Sequence, residues 1–98
     1  MPYRVFVEPL AKQDIRLAKQ WLADQKEGLE EYFRDELDQA INRISSNPHA
    51  YAVVENEIRQ AKLKNFPYVV SYLIYQDKVH VIAVLHGHRD PAEWNRRT

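Results

Sequence analysis

FPYVVSYLIYQDKVHVIAVLHGHRDPAEW, residues Phe66 to Trp94, holds two apolar runs, Phe66–Tyr75 and Val79–His86, parted by the polar tripeptide Gln76-Asp77-Lys78. Both runs are rich in Val, Ile, Tyr and Phe, residues that suit a pleated, packed surface. A short polar break between two such runs predicts a β-hairpin. Tyr68, Val70, Tyr72 and Ile74 point one way, and Val69, Leu73 and Tyr75 point the other. A strand that is apolar on both faces belongs at the centre of a sheet, covered on both sides. The polar cluster His86-Gly87-His88-Arg89-Asp90-Pro91 follows where the last core strand stops. That junction is the first place to look for function.

The rest of the chain arranges itself around this hairpin. Tyr3-Arg4-Val5-Phe6-Val7 alternates as a short strand and is ended by Glu8-Pro9, with Pro9 suited to a first helical turn. Ala11, Ile15, Ala18 and Leu22 then recur at helical spacing with Trp21 beside them. The polar stretch Asp24 to Gly28 interrupts the pattern. A second helix carries Leu29, Phe33, Leu37, Ala40, Ile41 and Ile44 on one stripe and is stopped by Ser45-Ser46-Asn47-Pro48. Two such helices make an antiparallel hairpin whose apolar stripes need one sheet to cover. Residues 49–57 read as an irregular loop with Tyr51 and Val53 tucked in. Ile58 to Lys64 alternates, with Arg59, Ala61 and Leu63 on one face and Gln60, Lys62 and Lys64 on a basic outer face. The expected fold is α+β, in the order β-α-α-β-β-β: an N-terminal strand, then a two-helix hairpin packed on a mainly antiparallel sheet, all in one domain over residues 1–98.

Composition narrows the function classes. The chain of 98 residues has no cysteine, which excludes disulfides, thiolate metal sites and a thiol nucleophile, and fits a cytoplasmic protein. No apolar run reaches the length of a membrane span, and MPYRVFVEPL lacks the apolar core of a signal peptide. A net charge of zero argues against a strong nucleic-acid binder. Residues 1–47 hold seven Lys/Arg against nine Asp/Glu, a balance of −2, and residues 48–98 hold seven against five, a balance of +2. An acidic partner would favour the C-terminal half. No glycine-rich phosphate loop is present.

Phe66-Pro67-Tyr68, the basic strand before it and His86-x-x-Arg89-x-Pro91-x-x-Trp94 after it resemble the RelE/ParE toxin superfamily of bacterial type II toxin–antitoxin systems. Ala11-Lys12-Gln13-Asp14-Ile15 resembles the opening of that family's first helix, and the likeness spans essentially the whole chain. The resemblance implies a cytoplasmic toxin bound by a cognate antitoxin, often through a helical, acidic C-terminal segment, in a hetero-oligomer. RelE-like members cut mRNA on the ribosome, whereas ParE-like members share the fold and poison DNA gyrase. Against the RelE-like pattern, Lys62 and Arg89 are kept, Gln60 and Val69 replace a lysine and an arginine, and Asn95 stands at a tyrosine position beside Trp94. Val69 supplies neither charge nor proton, and metal-free RNA cleavage needs a group to take the 2′-hydroxyl proton and cations for the phosphate.

The resemblance therefore favours the ParE-like branch, with gyrase as target. The contact residues it implies, for target or antitoxin, are Arg59, Lys62, Lys64, His86, Arg89 and Trp94. The alternative is a ribosome-dependent endoribonuclease, with Lys62 and Arg89 on phosphate and His88 or His86 as acid–base. A third reading is a non-toxic copy of the fold that only binds an antitoxin. No cofactor, metal or membrane is expected.

Plainer readings stand beside these. Arg89 serves equally as a partner contact, as a pair for Asp90 or Glu93, or as a strand cap. His86 and His88 share a face in an extended segment, but a metal would need a third ligand and only Asp90 is near in sequence. His80 reads as a structural histidine with a satisfied ring, and Lys62 and Lys64 as charges that discourage edge pairing. Trp94 reads as a lid on the sheet. Glu30-Glu31 and Asp35-Glu36 read as helix-surface charge, and Ser71 has no sequence neighbour that would make it a nucleophile.

Overall fold

The computed structural model describes residues 2–87. Strand β1 (Arg4–Val7) is followed by helices α1 (Pro9–Gln25) and α2 (Leu29–Ser46), a 3₁₀ turn (Pro48–Ala50) and strands β2 (Val53–Glu55), β3 (Ile58–Lys62), β4 (Tyr68–Tyr75) and β5 (Lys78–His86). The five strands form one sheet in the order β1-β5-β4-β3-β2, parallel between β1 and β5 and antiparallel elsewhere.

Both helices lie on the same face of the sheet. Ala11, Ala18 and Leu22 of α1 and Phe33, Leu37, Ala40 and Ile44 of α2 are buried against Ala61, Val70, Tyr72, Val79, Val81 and Val84. The helical spacing of the stripes and the period-two spacing of the strands thus meet in one core. Phe33 stacks edge-on against Phe66 and Tyr68, with centroids 5.5 and 5.2 Å away. Each such ring pair adds about 0.5–1.5 kcal/mol beyond the area it buries.

The structure departs from the sequence reading at several places. Residues 49–57 are not a simple loop, because they contain the 3₁₀ turn and edge strand β2, and Val53 is half exposed while Tyr51 packs on the core. The strand expected from Phe66 starts at Tyr68, since Pro67 has no N–H to give to a ladder. Lys78 joins β5 opposite Tyr75, which leaves a two-residue turn at Gln76-Asp77 with φ of 51° and 60°. Two left-handed residues in succession give the twist that a tight hairpin needs. Finally, Ser71 pairs with Ala83 and Tyr72 with Val81, so Ile82 is an inserted residue. This bulge puts Val79, Val81 and Val84 on the helix side and Ile82, Ala83 and Leu85 on the far face. The run Val81–Leu85 is apolar throughout because of it.

Candidate functional site: two faces of one sheet

The residues singled out in the sequence divide between the two faces. Lys62 is exposed on the far face, opposite Val69 on β4, and two residues back along β3 Gln60 lies opposite Ser71. Ser71 is fully buried, with Gln60 Nε2 at 3.4 Å from its Oγ. His86 lies on the helix side, its ring 5.7 Å from that of Tyr68, in a groove of about 500 Å³ that it lines with Asp14, Leu17 and Trp21. Lys62 and His86 are thus not brought together. Arg89, His88, Asp90, Trp94 and Asn95 lie outside the described residues.

Arg59 also faces the helices. Its Nη1 donates to the carbonyls of His49, at 3.3 Å, and Tyr51. Across the ladder, the Tyr72 hydroxyl donates to the Pro48 carbonyl at 2.6 Å. Burial pushes the Tyr72 phenol up to about 12, with the Arg59 charge pulling the other way. The two side chains fasten the turn after α2 to the sheet.

Lys64 leaves the face of Lys62, contrary to the simple alternation. The strand ends at Lys62, the Leu63 N–H turns to the Tyr68 carbonyl at 3.0 Å, and Lys64 lines a polar hollow with Asp35, Gln39 and Arg43 of α2. Glu36 explains the turn. It is buried, not surface charge, and accepts from Asn65 N at 2.9 Å and Asn65 Nδ2 at 2.6 Å. A carboxylate spent on two donors from one residue fixes that residue's backbone.

The model of the family described as the ParE toxin of the type II toxin–antitoxin system parDE matches residues 5–91. The chain belongs to the ParE toxin family. Among solved structures it is similar to a chain of the chromosomal ParDE toxin–antitoxin system from P. aeruginosa, with a TM-score of 0.76 and 9% sequence identity, covering 86% of this chain and 95% of that one. At that identity the likeness is one of fold. No curated protein matches the sequence.

In this ParE-family chain, His80 has a carboxylate partner in Glu8. Its Nδ1 lies 2.8 Å from Glu8 Oε1, and Phe6 stacks on its ring at 5.5 Å and 19°. His80 was expected as a structural histidine with a satisfied ring, and the structure supplies the partner. Glu8 escaped the sequence reading because it is 72 residues away and meets His80 only through the parallel pairing of β1 with β5. The other buried carboxylate, Asp14, accepts the Val84 N–H at 3.0 Å, past the point where β1 has ended. Among the described residues no group of three or more His, Cys, Asp or Glu is placed to hold a metal ion, and no helix is long and apolar enough to cross a membrane.

Proposed function

We propose that this ParE-family chain is a cytoplasmic toxin that stops growth by poisoning DNA gyrase and is neutralised by a cognate antitoxin in a hetero-oligomer. It acts by contact and not as a nuclease. One observation carries the choice: Lys62 stands on the far face opposite Val69, while His86 is on the helix side with Tyr68 and Trp21. Cutting RNA at a ribose needs a proton acceptor and cations gathered around one phosphate. Lys62 and His86, separated by the sheet, do not form such a group. Lys62, His86, Arg89 and Trp94 are proposed as contact residues for target or antitoxin. Arg59 and Lys64 are proposed to act through the turns they hold.

The test is induced expression in a bacterium without the antitoxin, following a DNA-damage reporter and cleavage of a translated mRNA together. A rising damage signal with intact mRNA is expected. Cuts inside codons without damage would establish the ribonuclease reading. Normal growth with folded chain present would leave an antitoxin-binding copy of the fold without toxicity.

A further inference from the structure

The acidic balance of residues 1–47 is concentrated on α2 and not on α1. α2 holds Glu30, Glu31, Asp35, Glu36 and Asp38 against Arg34 and Arg43, a balance of −3. From Pro9 to Ala23, α1 carries the cations Lys12, Arg16 and Lys19 and a single carboxylate, Asp14, which is buried on the Val84 N–H. At about 100° per residue, Lys12, Arg16 and Lys19 fall within ~60° of one another on the helix. Lys12 and Arg16 are exposed and Lys19 is half-buried. None of the three has an ion-pair partner among the described residues.

α1 runs on in the direction of β1. The Glu8 N–H meets the Val81 carbonyl, Asp14 meets Val84, and Leu17 and Trp21 share a groove with His86. The helical cations therefore continue a line that begins at the start of β1. There Arg4 and Lys78 are neighbours across the parallel ladder, and Lys78 and Lys12 border one hollow of about 550 Å³ along Val5, Phe6 and Val7. From Arg4 to Glu8 an extended chain rises ~13 Å, and from Glu8 to Lys19 a helix rises ~16 Å, so the row is roughly 30 Å long. Two carboxylates stand beside it: Glu8, engaged by His80, and Asp77, which shares a hollow with Arg4. Five cations against these two leave the edge positive.

A long positive row suits a phosphate backbone better than an acidic peptide. Peptide docking draws most of its energy from apolar anchors in pockets. The exposed apolar side chains of α1 are elsewhere: Leu10, Leu17 and Trp21 fall within ~40° of one another, on the far side of Gln13 and Gln20 from the cations. Phosphate binding needs charge alone and takes it from flexible cations. Each strand of duplex DNA carries a phosphate every ~3.4 Å of its axis, so the ~10 Å from Lys12 to Lys19 spans about three. We propose that Arg4, Lys78, Lys12, Arg16 and Lys19 lie along the backbone of duplex DNA held by the toxin's target. A net charge of zero keeps this contact weak by itself, and the target supplies the local concentration that raises its occupancy. The placement rests on the reading of the chain as a poison of gyrase, an enzyme that works on DNA.

The test uses the full-length chain and a fluorescent duplex oligonucleotide longer than the row, followed by anisotropy as salt is raised. The parent is expected to bind at low salt, with log K falling against log salt by about 3–4, or roughly 0.9 per phosphate met. Lys12→Gln/Arg16→Gln/Lys19→Gln is expected to lose at least about tenfold in affinity and about 2–3 of that slope, with its unfolding temperature kept. With purified gyrase and plasmid DNA, this variant is expected to need about tenfold more protein to trap the same amount of cleaved DNA. No duplex binding by the parent at low salt, or equal affinity and slope in the variant, overturns the row as a DNA surface. A variant whose only defect is towards the antitoxin overturns it equally and makes the row a site for an acidic protein. Full trapping of gyrase by a variant that no longer binds duplex overturns the placement and leaves the gyrase reading standing. Duplex binding through the row by a chain that never traps gyrase keeps the DNA surface and removes gyrase as the enzyme that presents it.

Discussion

Arg59→Ala separates a residue that touches a target from one that holds the fold. The Arg59 guanidinium donates to the carbonyls of His49 and Tyr51, and Tyr72 across the ladder donates to that of Pro48. Hydrogen bonds from a charged group contribute about 1.5–3 kcal/mol each. The bond to His49 is long and exposed and belongs at the low end, so losing both costs roughly 2–3 kcal/mol. Against a typical total stability of about 5–15 kcal/mol, that is a large fraction. It corresponds to a fall of roughly 10–20 °C in Tm for a domain of this size. Urea unfolding should show the loss as a lower midpoint with an unchanged slope. Arg59→Lys keeps the charge but not the fork, and should recover about half. Combined with Tyr72→Phe, the losses should fail to add by about 0.5–1 kcal/mol, because both side chains hold one segment. Growth inhibition by Arg59→Ala should persist at temperatures where it stays folded. A variant that unfolds at the parent midpoint yet no longer inhibits growth would refute the clamp and restore Arg59 as a contact.

Tyr72→Phe has a pH signature of its own. The folded phenol titrates at about 12 and the unfolded one near 10, so the folded chain keeps a proton that the unfolded chain gives up. Stability should therefore be intact below pH ~10 and fall by roughly 2 kcal/mol towards pH ~12, and urea titrations across that range should show a shallower fall in Tyr72→Phe. Asp14→Ala leaves the buried Val84 N–H without its acceptor and should cost about 2–3 kcal/mol, whereas Asp14→Asn keeps an acceptor and should cost less than about 1. Thermal unfolding of the pair checks this, and equal losses would show that the carboxylate acts otherwise. Lys62→Ala should change stability by less than about 0.5 kcal/mol, as an exposed strand residue, while weakening growth inhibition. Parent-level inhibition would remove Lys62 from the contact set.

The helical hairpin and the β4–β5 pair were legible because periodicity alone reports them. Phe33, Leu37 and Ala40 can share a buried stripe only on a helix, and Tyr68, Val70 and Tyr72 share a face only on a strand. β2 was hidden because Val53, Val54 and Glu55 are all exposed, and its turn into β3 places Asn56 and Glu57 at φ of 47° and 66° without a glycine to announce it. Sequence alternation also overreached. Applied through Lys64 it assumes that the strand continues, but Glu36 on α2 captures Asn65 and turns the chain away. The same long-range dependence concealed Glu8 as the partner of His80. The role of a side chain at the end of a strand depends on which element arrives there, and that is set by tertiary packing.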